Sequence, residues 1–350
     1  MTRKLASIRR VASLTPIEGA DRIEVAGIDG WNVIVQKGLY EVGHFCVYFE
    51  VDSFLPVEER YEFLRKNCFR STTNLGDGFR IKTMKMRGVV SQGLLMPLST
   101  YDDYEYTFAD HVQEGDDITE YLKVQKYEKP IPLHLQGQIR GNFPSFLRKT
   151  DQERAQNLTK DILKRQDESF EVTMKLDGSS MTVYRDHNGN VGVCSRNIDL
   201  KEDDENVFWA TAKKTGLIAY LNSIDRAIAF QGELMGPGVQ GNREKLEEHA
   251  FFLFDVFDIV PFKYLGPEQR YHEYNEAIAH GCKFKHVPVI FTSNPLRTYL
   301  ATQEVIPNLM ELAEGESLAP GVKREGVVFK SWDSDFTFKL IANSYLLAED

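Results

Sequence analysis

Cysteine is scarce in this 350-residue chain: Cys46, Cys68, Cys194 and Cys282 are the only four, and no two form a C-x-x-C pair. That scatter argues against a zinc ribbon and for a reducing compartment. Long apolar runs are also missing. The longest, around Ala250–Val256, is strand-sized and far short of a bilayer-spanning helix, so no membrane role is expected. Basic excess is absent, with 52 acidic against 42 basic residues and a net charge of −10. A non-specific nucleic-acid coat, which must neutralise many phosphates, is thereby disfavoured. Low-complexity tracts and internal repeats are lacking in a composition that is 42% apolar and 27% charged. This is a globular chain with room for two cores.

The first fourteen residues, MTRKLASIRRVASL, are basic and free of acids, as in a mitochondrial transit peptide. They run straight into strand-like segments, however, so a first β-strand is expected, and with no other export signal the expected compartment is the cytoplasm. Arg3, Lys4, Arg9 and Arg10 cluster here, and Arg80, Lys82, Lys85 and Arg87 cluster further on. Each cluster reads either as a local basic face or as the solvated side of a strand. From residue 5 to about 125, ADRIEVAGIDG, WNVIVQKG, HFCVYFEVDSFLP and FRIKTMKMRGVVSQGLLMPL alternate apolar and polar residues between turn residues. Short strands so closely spaced predict a small β-barrel, of which the OB-fold is one choice.

Three prolines and weak periodicity in VQKYEKPIPLHLQGQIRGNFPSF predict a surface linker. The expected division is residues 1–125, a linker at 126–149, and a second domain at 150–350. TDQERAQNLTKDILKR reads as a helix start with Thr150 as cap and Glu153 three residues on. EVTMKLD, SMTVYRD, VGVCSRN, IAFQGELM, AFFLFDVFDI, GVVFKS and FTFKLI then read as strands. NVFWATAKKTGLIAYLNSI, PEQRYHEYNEAIAHG and TQEVIPNLMELAEG read as helices. The fold class is therefore α+β with a largely antiparallel sheet.

Within EVTMKLDGSSMTVY, residues 171–184, a lysine ends an apolar strand. It either snorkels from a hairpin whose Asp-Gly makes the turn, or it has a chemical task. Other charges also interrupt apolar strands: Asp177, Arg196 in CSRN, Glu233 in FQGELMGPG, Glu325 in REGVVFK, and Lys330 and Lys339 further along. Buried charges are costly unless they pair or bind a charged ligand. Three acids and four bases could together hold a nucleotide phosphate and a hydrated divalent ion. Asp and Glu without His suit Mg²⁺ or Mn²⁺ better than zinc. GPGVQG matches a dinucleotide-binding pattern, but no βαβ unit follows, so it reads as a turn.

In this order and spacing, KLDG, SRN, GELMGPG, FLFDVF, EGVVFK and FKLI resemble the motifs of the covalent nucleotidyltransferase superfamily, the polynucleotide ligases and mRNA capping enzymes. With the OB-like first half and KTDQERAQN, the chain most resembles ATP-dependent, nick-sealing RNA ligases of the Deinococcus and Naegleria types. The resemblance implies an N-terminal OB-like barrel followed by an antiparallel-sheet nucleotidyltransferase domain, ATP-grasp-like in character. Lys175 would attack the ATP α-phosphorus to form lysyl-AMP, as the free amine. Asp177, Glu233 and Glu325 would hold the ion largely through its waters, and Glu233 would also lie near the ribose. Phe254 would stack on adenine, the alternative being a core phenylalanine. Arg196 would lie near the nucleotide or the strand end. Arg154 and Asn157 would fold back over the triphosphate, the alternative being a helix surface. Lys330 and Lys339 would supply positive field.

One departure concerns the last motif, where related ligases often carry K-x-K; here Thr337 and Ile341 flank a single Lys339. The second phosphate contact is then expected from Lys330 or not at all. The chain stops soon after, so the N-terminal barrel is expected to grip the substrate. The expected function is ATP-dependent sealing of RNA 5′-phosphate and 3′-OH ends, at a nick in a duplex with an RNA 3′-OH strand, by a monomer. A DNA ligase, a GTP-using capping-type enzyme and a catalytically dead tRNA- or single-strand-binding protein are the alternatives.

Overall fold

A computed structural model describes residues 3–102, 107–128, 137–300 and 304–348. The chain divides into two compact units. One comprises residues 1–130 with 156–159 and 346–350; the other comprises 131–155 with 160–345. Residues 129–136 of the expected linker lie outside the described residues.

Alternation builds the first unit. Ile23–Ile28 and Trp31–Gln36 pair antiparallel with Ile28 opposite Trp31, so the connection is two residues, Asp29-Gly30. Ala26, Ile28, Trp31 and Val33 turn inward onto Tyr48 and Leu95. Asp29 has φ 50°, the left-handed backbone that a tight hairpin tolerates best at Asp, Asn or Gly. The basic N-terminal stretch is indeed a strand, Ala6–Arg10, paired with Phe45–Phe49, which pairs in turn with Leu94–Pro97. Its cations are satisfied inside the unit. Arg3 bonds Glu50 at 2.5 Å, Arg9 bonds Asp29 at 2.9 Å, and Arg10 bonds Glu114 at 3.0 Å while lying over the Phe45 ring. All four cysteines are buried and free.

Among the described residues, two sheets make the second unit. The larger runs Ile139–Asn142, Ile198–Leu200, Val191–Cys194, Ser179–Arg185, Ile228–Met235, Ala250–Asp258 and Lys263–Tyr264, with Lys285–His286 also pairing with Ala250–Asp258. The smaller runs Glu153–Arg154, Thr337–Ile341, Gly326–Ser331, Ser169–Lys175 and Val289–Pro295. Helices Val207–Lys214 and Leu217–Ser223, expected as one, bury Phe208, Trp209, Leu217 and Leu221 in the same core as Val183, Phe230 and Leu253 of the larger sheet. Asn206 caps the first of them, accepting from the Phe208 and Trp209 amides.

The helix expected from Thr150 does not form. Glu153–Arg154 instead add a short parallel strand beside Phe338–Lys339, and the helix begins only at Thr159. The Thr150 hydroxyl meets Gln231 Oε1 at 2.9 Å rather than capping a helix. A cap signal is local, and here pairing to a strand almost two hundred residues away overrides it.

Ser169–Lys175 is buried on both faces. Phe170 packs on Phe329 and Phe338, while Glu171, fully buried, is held by Arg270 and by Tyr271 at 2.6 Å. Arg270 is also fully buried, on helix Pro267–Ala279. Removing one member of such a pair strands the other charge. Arg270→Ala is therefore expected to cost about 3–5 kcal/mol, read as a lower denaturation midpoint with an unchanged slope. A loss under about 1 kcal/mol would mean that water or another donor replaces the guanidinium.

Candidate active site

The turn reading of Lys175-Leu176-Asp177-Gly178 is overturned. The strand before it, Ser169–Lys175, pairs with Val289–Pro295 and Gly326–Ser331; the strand after it, Ser179–Arg185, pairs with Val191–Cys194 and Ile228–Met235. The four residues carry the chain from one sheet to the other, not round a hairpin. A three-residue connection that spans two sheets must pass where strand ends of the two sheets converge. Lys175 and Asp177 are thereby held at that seam.

Close packing fixes the crossing. Gly178 donates its amide to Glu233 Oε1 at 3.1 Å, and a Cβ there would meet the Leu234 carbonyl at 2.5 Å. Gly326, opposite Lys175 in the register, has φ 158° and no room either, since a Cβ would lie 2.0 Å from the Leu340 carbonyl. Glu325 precedes it. Its carboxylate meets the Lys175 ammonium at 2.7 Å, with the side chains 15% and 27% exposed. The two strand ends thus bring Glu325 onto Lys175, and the crossing brings Glu233 beside both.

The electrostatics are those of a crowded, half-dry site. Burial pulls the Lys175 pKa down, but the Glu325 and Glu233 carboxylates outweigh that and leave it above the ordinary lysine value. Arg196, exposed on the turn between Val191–Cys194 and Ile198–Leu200, is near enough to oppose them slightly. Burial pushes the Glu233 pKa up to about 8. The Glu325 and Asp177 charges add to that rise, while Lys175 and the Gly178 amide resist it. Asp177 lies 3.3 Å from Arg243. The site holds its lysine as an ammonium among acids.

Phe254 is an extra residue in its strand. The register with Ile228–Met235 passes from Gln231 opposite Asp255 to Gly232 opposite Leu253, so Phe254 bulges out and is only partly buried against Leu176, Met235 and Phe252. Bulges re-aim side chains next to functional sites. The adjacent Asp255 bonds the Lys330 ammonium at 2.6 Å, and Lys330 also donates to the Phe254 carbonyl. Lys330 is thus buried and committed to the bulge. Lys339 meets Asp151 at 3.1 Å, and Arg154 is buried on the short strand paired with it. Asn157 belongs to the first unit, where it bonds Glu50 at 2.5 Å and accepts from the Trp31 indole at 2.6 Å.

The residues brought together around the amine are therefore Lys175, Glu325, Glu233 and Asp177, with Arg196 at the edge. Sequence reading had missed Asp255, Asp151 and Arg243, each the partner of a residue it had singled out. Only the acid next to Phe254 in FLFDVF gave any signal.

A model of an OB-fold domain matches residues 5–98, and an RNA ligase model matches residues 168–341. No curated protein matches the chain. Among solved structures, a lysine-to-alanine variant of Naegleria gruberi RNA ligase with ATP and Mn is 42% identical, with a TM-score of 0.89 over 98% of both chains. A glutamate-to-alanine variant of the same ligase with AMP and Mn gives the same identity, TM-score and coverage. Its complex with PPi is likewise 42% identical, with a TM-score of 0.89 over 99% of this chain and 98% of that one.

Proposed function

The chain belongs to the RNA ligase family and is an ATP-dependent RNA ligase; from that premise we propose that Lys175 is the residue that carries AMP. The observation that supports this reading is the Lys175 ammonium 2.7 Å from Glu325, on a crossing between two sheets, with Glu233 and Asp177 beside it. A lysine held this way is aimed and charged. It becomes a nucleophile when it loses its proton.

The chemistry runs in three exchanges of a phosphorus bond. Lys175 Nζ, already short of one proton, bonds to the α-phosphorus of ATP as the bond to the β-phosphate oxygen breaks; pyrophosphate leaves, a second proton is lost, and one N–H stays on the phosphoramidate. A 5′-phosphate oxygen of RNA then takes the adenylyl group from nitrogen. Finally the 3′-OH oxygen bonds to that 5′-phosphorus, the phosphoanhydride breaks, AMP leaves and the hydroxyl proton goes to solvent.

The donors near Lys175 are carboxylate oxygens, which suit a hard divalent ion. Among the described residues no three His, Cys, Asp or Glu are grouped to ligate a metal directly, so Asp177, Glu233 and Glu325 would hold Mg²⁺ or Mn²⁺ through its own waters. When bound, the ion supplies positive charge that lowers the lysine pKa and offsets charge at the phosphate. Glu325 orients Nζ. Phe254, turned out by its bulge, offers a face to the adenine, and Asp255 with Lys330 holds that bulge. Lys339 and Arg154, on neighbouring strands, lie ready for the phosphates, and Arg196 for the nucleotide or the RNA end.

The substrate is a nicked duplex with an RNA 3′-OH strand, sealed by a monomer in the cytoplasm; the free, buried thiols support a reducing compartment. Of the described helices none is long and apolar enough to cross a membrane. Sealing assays on nicked and single-stranded RNA and DNA, with each metal in turn, test the substrate. Preference for single-stranded ends, or for a DNA 3′-OH, would overturn that part. Covalent labelling by GTP rather than ATP would favour a capping-type enzyme, and binding without any covalent AMP a dead one. Asp177→Ala and Glu325→Ala are each expected to lower sealing by about a hundredfold or more, and near-normal sealing by either variant would strike that residue from the site.

A further inference from the structure

The segment GPGVQGNREK, residues 236–245, follows directly on the Glu233 strand. Its backbone is tightly constrained: Gly236, Gly238, Gln240, Gly241, Asn242 and Lys245 all have positive φ. Asn242 ties the loop to itself, accepting from the Leu246 amide at 3.0 Å and donating to its carbonyl at 2.9 Å. At Gln240, Asn242 and Lys245, which unlike glycine carry a Cβ, such a backbone is strained and persists only where the surroundings over-determine it. Here the surroundings are two consecutive side chains that leave the loop and grip something else.

Arg243 Nη1 lies 3.3 Å from Asp177 Oδ2, its Nη2 donates to the Lys323 carbonyl at 3.3 Å, and its guanidinium lies over the Tyr345 ring at 4.8 Å. Glu244 is buried and accepts from the Ala319 amide at 2.8 Å and from the Ser317 hydroxyl. Both residues therefore hold segment 315–323, the loop that delivers Glu325. Ser317 also reaches the Met174 sulfur at 3.8 Å, one residue before Lys175. The base of the loop is closed by Arg324, whose amide bonds the Gly315 carbonyl at 3.1 Å and whose side chain bonds the Glu314 carbonyl at 2.8 Å. One end of this frame is Asp177 and the other is Glu325.

We infer that Arg243 and Glu244 are positioning residues for nucleotidyl transfer: together they set where Asp177 and Glu325 stand relative to Lys175. Neither needs to touch ATP. The rate constant, not nucleotide affinity, carries their effect, because misplacing a reacting group by about an ångström can cost two orders of magnitude. Glu244 acts by geometry rather than by charge. Glutamine in its place keeps both bonds, since the Ser317 hydroxyl turns to accept from the new amide.

The inference rests on Lys175 as the AMP carrier, and the test separates the two. Full-length wild type, Arg243→Ala, Glu244→Ala and Glu244→Gln are mixed with ATP labelled at the α-phosphate. The single-turnover rate constant of lysyl-AMP formation, the half-saturating ATP concentration and the Tm are then measured. Arg243→Ala and Glu244→Ala are expected to slow the reaction at saturating ATP by roughly ten- to a hundredfold. Half-saturation should stay within about threefold of wild type, and Glu244→Gln should keep a rate within about threefold. Arg243 is one-third exposed, so Arg243→Ala opens no deep cavity and, with its Tm as the check on folding, decides the matter if Glu244→Ala does not fold. A wild-type rate constant in Arg243→Ala, a loss confined to half-saturation, or equal losses in Glu244→Gln and Glu244→Ala would overturn the inference. No labelling of wild type would instead remove the reading of Lys175.

Discussion

Replacing Lys175 with methionine will abolish labelling of the protein by ATP carrying label at the α-phosphate, a loss of roughly 10⁴-fold or more, the scale seen when a covalent nucleophile is removed. Methionine fills the space of the lysine stem without its amine. Alanine would open a hole between the strands as well, confusing chemistry with folding. The charge balance also changes, because Glu325 loses its partner at 2.7 Å and Glu233 loses the ammonium that resists its raised pKa. Glu233 then takes up a proton more readily, so its buried carboxyl is not left as an unpaired charge. Sealing of an RNA strand that already carries 5′-linked AMP is expected to survive in part. The bonds exchanged in that last step join two RNA ends and AMP, not the lysine nitrogen. Gel detection of labelled protein and a sealing assay on the adenylylated strand check both halves. Labelled Lys175→Met would place the nucleophile elsewhere.

Period-two alternation found strands such as Ile23–Ile28 and Trp31–Gln36, because a half-buried strand must turn apolar residues one way. Gly326–Ser331, buried along its whole length, is legible only as a short apolar run, and Glu153–Arg154 and Val289–Pro295 show no alternation. What alternation cannot say is which strand pairs with which. Leu176-Asp177-Gly178 has the length and chemistry of a hairpin turn, and only the partners of each strand show that it crosses between sheets. Thr150 looked like a cap for the same reason: its signal is local, while the Glu153–Arg154 strand is specified by Phe338–Lys339 far along the chain. Charges were legible as anomalies within apolar strands, not as pairs. Lys330 with Asp255, Lys339 with Asp151 and Asp177 with Arg243 are joined across 75, 188 and 66 residues. No sequence period records such a pairing.

In the proposed site Glu233 would set stability against catalysis, and Glu233→Gln should separate them. Burial first, and the neighbouring Glu325 and Asp177 charges after it, raise the carboxyl to about 8 from an ordinary 4.5. The folded protein therefore keeps this proton through a range in which the unfolded chain has lost it. The resulting stabilisation is complete below the unfolded pKa, declines as pH rises from about 4.5, and is gone above about 8. Glutamine has no proton to lose, and its carbonyl can still accept from the Gly178 amide, so the variant lacks this decline. Its Tm relative to wild type should climb between pH 5 and about 8 and level off above that. Lysyl-AMP formation should meanwhile fall by about a hundredfold or more, since a neutral amide cannot offer the negative charge with which the carboxylate would hold a hydrated divalent ion. The two readouts move in opposite directions for one reason, an acid kept where a folded protein would rather have none. A Tm difference that does not change with pH would mean that the Glu233 proton is no more tightly held in the native state than in the unfolded chain. Near-normal labelling would mean that its charge has no part in the transfer.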